Sequence, residues 1–162
     1  MIALAFRMEN SAQSEWCWAA VAVSVSKFYN KAVATTQCGL VENVLPNVTA
    51  CCSNPSACNK RWYLDRALKS NGNLDRFTTT AEPFSTVERE LKAGRVLPIR
   101  IGWHPEGGHF VVISGSDNLL NSELLTVQDP NPAVGNSIIP RSELVNKYLG
   151  SGSWTDSFFT KP

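Results

Sequence analysis

Three side chains with reactive heads stand out by type and position: Cys17, His109 and Asp129. Cys17 lies in QSEWCWAAVAVSVSKF, residues 13–28, between two tryptophans and ahead of a run of small and apolar residues. That run reads as a helix, so the thiol falls in its first turn. Unsatisfied N–H groups and the helix dipole favour negative charge there, and the thiolate is the nucleophilic form of cysteine. A thiolate needs a base or cation beside it, which a histidine far away in sequence can supply. The chain has 2 histidines, His104 and His109, both within GWHPEGGHFVVISG, residues 102–115. His109 opens a β-rich run directly after Gly107 and Gly108, whose missing side chains leave room beside an imidazole. His104 precedes a proline and falls in the loop. The imidazole needs an acceptor for its second nitrogen. LLTVQDP ends a strand at Asp129, one hairpin after the histidine strand, which brings that carboxylate beside His109. Asp117 and Glu106 are rivals that fall in exposed loops. Cysteine, histidine and aspartate together suit acyl transfer: sulfur attacks a carbonyl, the imidazole moves the proton, and the carboxylate orients the ring.

These groups need elements to position them. Ser14 is an N-cap candidate, which puts Cys17 at the third helical position. From Trp16 to Tyr29 apolar residues wrap most of the way round, as in a helix buried on nearly all sides. A second helix is expected through KRWYLDRALKS, residues 60–70, and a third through STVERELKAG, residues 85–94. In the third, Ser85 and Glu88 form a capping box and Gly94 supplies the stop. The rest of the chain reads as strands at residues 95–103, 109–115, 123–129, 136–140 and 154–159, parted by Gly, Asn, Asp and Pro. No helix-length segment separates them, so antiparallel neighbours are expected. The expectation is an α+β chain forming one domain over residues 1–162, with a helical half at about 1–94 and a sheet half at about 95–162. Trp16 and Trp18 lie on opposite sides of the cysteine helix, so only one can face a groove. Trp103 and Trp154 are candidate walls of the site.

Bulk properties exclude several classes. The chain has 162 residues with 43% hydrophobic and 18% charged content, enough for one sizeable core. Its net charge is +1 with no basic run, which speaks against nucleic acid as a partner. Ser24, Ser26 and Lys27 interrupt the longest apolar stretch, so no membrane span is expected, and MIALAF is too short for a signal peptide. Of the 5 cysteines, Cys38, Cys51, Cys52 and Cys58 cluster in a segment rich in Asn, Ser and Pro, and Cys17 stands apart. That count suggests two disulfides and one free thiol. A vicinal bridge between Cys51 and Cys52 is strained. Cys38 therefore pairs with one of them and Cys58 with the other, in an order the sequence leaves open. No histidine lies near the cluster and C-x₂-C spacing is absent, so neither a metal nor a cofactor is expected.

QSEWCWAAV, GGHFVVISG and VQDP together resemble the bacterial branch of the papain-like cysteine peptidases, which includes staphopains, the double-glycine peptidases of bacteriocin exporters and type III effector proteases. The order Cys, His, Asp and the small gap from His to Asp match, with 92 positions from Cys17 to His109 and 20 from His109 to Asp129. The resemblance covers nearly the whole chain, because the cysteine-rich segment and the WYLDRAL helix are similar to the papain left domain. It implies a papain-like fold and a thiol endopeptidase acting on polypeptides. Cys17 would be the nucleophile, His109 the general base and acid, and Asp129 its orienter. One position departs from the family. The oxyanion-hole glutamine stands six residues before the cysteine, where this chain has Ser11. Gln13, four before, is the candidate donor, helped by the Cys17 N–H. The same triad serves an amidase or acyltransferase acting on peptidoglycan or a glutamine side chain, which is the alternative activity. The resemblance and the cysteine count further imply an exported bacterial effector or toxin, with a cognate inhibitor or immunity protein as a partner.

Overall fold

A computed structural model describes residues 1–162. The composition of the first long helix, α1 (Cys17–Tyr29), decides its place. Residues Trp18 through Ser26 are all buried, so the helix runs through the interior. Its two buried serines are satisfied: Ser24 Oγ donates to Ala20 O at 2.7 Å and accepts from Glu9 N at 2.9 Å, and Ser26 Oγ bonds Asn73 at 2.7 Å. Around it pack α2 (Gln37–Val44) and α3 (Leu64–Ser70), contributing Leu40, Val41, Leu64, Ala67 and Leu68 to one core. A 3₁₀ turn at Pro55–Cys58 closes the cysteine-rich segment. The bridges join Cys38 to Cys52 and Cys51 to Cys58, and Cys17 is free.

Seven strands make one antiparallel sheet: β1 (Ile2–Ala3), β2 (Leu74–Thr78), β3 (Leu97–Trp103), β4 (Gly108–Leu119), β5 (Ser122–Gln128), β6 (Asn136–Pro140) and β7 (Gly152–Thr160). The spatial order is β2-β7-β3-β4-β5-β6, and β1 pairs with β4. Val112 and Phe158 face the core of α1, α2 and α3. Ile99, Ile101, Val111, Ile113, Leu125 and Val127 face a second core, capped by α4 (Phe84–Lys92) and α5 (Arg141–Asn146) through Phe84, Val87, Leu91 and Leu144. Period-2 alternation along β4 thus feeds both cores, while Leu97, Ile99 and Ile101 of β3 feed the second. The architecture is the expected α+β one.

Several details differ from the sequence expectation. α1 begins at Cys17 itself, with Trp16 at the N-cap position and no side-chain cap. Ser14 does not cap it, because its hydroxyl is bonded to Asn59 Nδ2 at 2.8 Å. α4 begins at Phe84 behind Pro83, so the Ser85–Glu88 capping box does not form, and Glu88 pairs with Lys92 instead. β1 and β2 come from the first half of the chain, and α4 packs on the far face of the sheet. The division near residue 94 therefore does not separate helices from strands.

Candidate active site

One tether joins the segment before α1 to the end of β5, and a second joins it to α2. Ser11 N donates to Pro130 O at 2.8 Å, next to Asp129. Ala12 N donates at 2.9 Å to Gln37 Oε1, whose amide in turn donates to Asn10 O at 2.8 Å. On the other flank the cysteine-rich segment grips the helix start. Glu15 N donates to Asn59 Oδ1 at 2.8 Å, Trp16 Nε1 to Cys58 O at 2.9 Å, and Trp18 Nε1 to Lys60 O at 3.0 Å. Both tryptophans are buried, and Trp18 also lines the groove beside Cys17. They act as pegs that fix the turn carrying the thiol. No acidic residue occupies the first turn of α1, so its amides and dipole remain available to a negative charge at Cys17.

His109 stands at the start of β4 and Asp129 just past β5. Their side chains meet: His109 Nε2 bonds Asp129 Oδ1 at 2.7 Å. That contact leaves Nδ1 for Cys17, which lies near enough to favour the protonated ring. The Asp129 side chain is wholly buried. Its oxygens have three donors. Oδ1 accepts from His109 and from Asn131 N at 2.7 Å, and Oδ2 accepts from Tyr148 Oη at 2.8 Å. Burial, then the carboxylate charge and this hydrogen bond, push the Tyr148 phenol far up, so it stays protonated and donates. For His109, burial works against the charged ring and is the largest single influence. Hydrogen bonds to Asp129 and Cys17, together with their negative charges, outweigh it and lift the imidazolium from the ordinary 6.5 to about 9.

Trp103 covers this assembly. Its ring lies 6.1 Å from that of His109 and 6.2 Å from that of Tyr148, nearly parallel to both. Gly152 makes the place for it, since a Cβ there would lie 2.6 Å from Trp103 Cζ3 and 2.4 Å from Ile101 Cγ2. Trp154 is a core residue whose Nε1 donates to Ser157 Oγ at 2.9 Å, not a wall of the site. His104 and Glu106 are exposed in the β3–β4 loop, and Asp117 pairs with the N-terminal amine at 3.3 Å. None of the three reaches the Cys17–His109 pair. The Gln13 carbonyl accepts from Trp16 N at 3.1 Å, so Gln13 sits in the turn directly before Cys17 with its side chain half-buried.

Cys17 opens onto a cleft of about 1030 Å³ between the helical layer and the sheet. Trp62, Tyr63 and Leu64 line one wall, and Gly108, Phe110 and Phe158 the other. A second hollow of about 920 Å³, between the end of α1 and α2, holds none of the reactive groups. Sequence reasoning missed Tyr148, Asn131 and Asn59. The DPN run was a usable signal for Asn131, because an Asp side chain commonly accepts from the N–H two residues on. Tyr148 and Asn59 meet the site only through tertiary packing. The arrangement holds a thiol against a protonatable ring whose other nitrogen is fixed by a buried carboxylate, which suits nucleophilic attack followed by proton delivery.

A family model described as the Peptidase_C39 like family matches residues 3–155. The fold is similar to that of the peptidase domain of Streptococcus ComA, a bi-functional ABC transporter involved in a quorum sensing pathway. The TM-score is 0.65 at 17% identity, covering 97% of this chain and 98% of that one. The peptidase domain of Streptococcus mutans ComA gives a TM-score of 0.57 at 16% identity, over 97% and 100% of the two chains. A search of the curated proteins gives no match.

Proposed function

The chain belongs to the Peptidase_C39 like family and is a cysteine peptidase, and from that premise we propose that it hydrolyses polypeptide bonds through a Cys17–His109–Asp129 triad. One observation carries the assignment: the buried bonds Tyr148–Asp129–His109 fix the ring whose protonated form Cys17, the one free thiol, also favours. Asp129 fixes the ring, with Nε2 inward and Nδ1 towards sulfur, and its charge holds the proton that the leaving amine must receive. The Cys17 thiolate attacks the scissile carbonyl carbon. The C=O electron pair moves onto oxygen, which the Cys17 N–H at the uncapped start of α1 is positioned to stabilise. Gln13, in the adjoining turn, is the proposed second donor. Collapse expels the amine, which takes the proton from His109, and leaves a thioester on Cys17. His109, now neutral, takes a proton from water, and the hydroxide releases the acid and restores the thiolate. Trp103 shields the His109–Asp129 bond from water, which strengthens it.

The whole of residues 1–162 is proposed as a single papain-like peptidase domain. The two disulfides support an oxidising workplace, and with the resemblance described above they favour an exported effector or toxin that a cognate inhibitor or immunity protein would restrain. Three substrates offered to the protein and to Cys17→Ala test the reading: denatured protein, muropeptides, and a glutamine peptide with an amine. Cys17-dependent cleavage of the denatured protein is expected. Turnover confined to muropeptides or to the glutamine amide would replace it with the amidase or acyltransferase reading.

A further inference from the structure

Arg100 is the one charged residue in LPIRIGW, a strand otherwise devoted to the core. It lies cross-strand from Phe110 on β4 and Asp156 on β7, so these three side chains share the sheet face that lines the Cys17 cleft. The next row towards His109 pairs Gly102 with Gly108, which leaves a hollow. The Arg100 guanidinium fills that hollow: a Cβ on Gly108 would lie 2.7 Å from Nη2 and 3.0 Å from Cζ. Gly108 is therefore glycine to admit Arg100, and the charge sits against the residue directly before His109. Its anchors are few. Nη1 donates to Thr155 Oγ1 at 3.0 Å, Nη2 reaches Gly107 O only at 3.5 Å, and Asp156 Oδ2 stands off at 3.9 Å. Asp156 is itself held by Thr155 Oγ1 at 2.5 Å. Five N–H donors of a guanidinium thus have one close partner, and the side chain is 36% exposed to the cleft. Across the cleft Glu15 is taken by Arg61 at 2.8 Å and cannot serve Arg100.

We propose that Arg100 is a specificity-determining residue that selects an acidic side chain of the substrate within two positions of the scissile bond. Any peptide that presents its carbonyl to Cys17 and His109 passes over Gly108, where the guanidinium N–H groups not taken by Thr155 can donate to a carboxylate. The proposal rests on the peptidase reading and deepens it by naming a substrate class.

An internally quenched peptide library with both ends blocked tests it, the blocks ensuring that a side chain supplies the carboxylate. One position near the cut is expected to favour Asp or Glu over Asn or Gln roughly tenfold, which is what a charge-assisted hydrogen bond supports. That ratio is expected to vanish in Arg100→Gln, to reverse towards Lys or Arg in Arg100→Glu, and to rise in Asp156→Asn, which removes the competing carboxylate. Wild-type cleavage indifferent to acidic residues overturns the proposal without any variant and leaves the peptidase reading standing. So does an acidic preference that survives Arg100→Gln. Failure to cleave any member of the library overturns both readings.

Discussion

Replacing Asp129 by alanine removes the carboxylate that holds the His109 proton, and the structure sets the size of the effect. The lift of His109 from 6.5 to about 9 amounts to about 3 kcal/mol in favour of the protonated ring. That value is net of burial, which alone depresses the ring. Without Asp129, burial opposes the Cys17 contribution alone. The imidazolium is present below its pKa and lost above it, so wild-type kcat/KM is expected to fall as pH rises through about 9. In Asp129→Ala that limb is expected to move down towards 6.5, with a loss at neutral pH of about 100-fold, the low end of positioned acid–base catalysis. Asp129→Asn keeps an acceptor but no charge, so its limb should lie between the two. Stability follows the same sign. The folded pKa lies above the unfolded value near 6.5, so the contribution is full below that pH and lost as pH rises through about 9. The assay is kcat/KM from pH 5 to 10 on one quenched peptide, with circular dichroism to show that the variants fold. An Asp129→Ala profile whose alkaline limb coincides with the wild type would mean that Asp129 does not hold the His109 proton.

Other perturbations probe the supports of the site. Tyr148→Phe leaves Asp129 Oδ2 buried without its partner and is expected to cost about 1–3 kcal/mol in denaturant unfolding; an unchanged midpoint would contradict the hydrogen bond. Gly152→Ala drives a methyl into Ile101 and Trp103, so Tm should drop by an amount equivalent to about 1–3 kcal/mol and activity should fall with it. Unaltered Tm would mean that Trp103 is not seated there. Opening the Cys51–Cys58 bridge with paired alanines should cost about 2–4 kcal/mol. Iodoacetamide should also label Cys17 more slowly in that variant, because the bridge braces the Asn59 bonds to Ser14 and Glu15. Equal labelling rates would free the bridge from that role.

Local chemistry made part of the molecule legible. The α1 run, the strands at 95–103 and 109–115, and the hairpin that returns Asp129 to His109 all follow from apolar period and turn residues. Ser14 looked like a cap because the sequence does not show Asn59, which takes its hydroxyl, or Cys58, whose carbonyl holds the Trp16 indole. β2, LDRFT, has too much polarity to read as a strand and exists by pairing with β7. α2 hid in a cysteine-bearing segment rich in Asn, Ser and Pro, although Thr36 caps it at Gly39 N and Leu40 and Val41 are buried. α5 is six residues behind a proline, too short to announce itself. Tyr148 comes from the turn after α5 and meets Asp129 across 19 positions, a contact that no local pattern encodes. Arg100 did leave a trace: a lone charge in a core strand, with a glycine two positions on and another opening the next strand.

Every proposed step depends on Cys17 as the nucleophile and on His109 driving it. Treating the protein with a peptidyl epoxide and mapping the adduct by tandem mass spectrometry tests both roles, with wild type, Cys17→Ala and His109→Ala run in parallel against a cleavable peptide. One adduct is expected, on Cys17, formed in step with the loss of cleavage. His109→Ala should form it at least tenfold more slowly near neutral pH, and cleavage should be absent from Cys17→Ala. Cleavage retained in Cys17→Ala, or an inactivating adduct on any other residue, would contradict these roles.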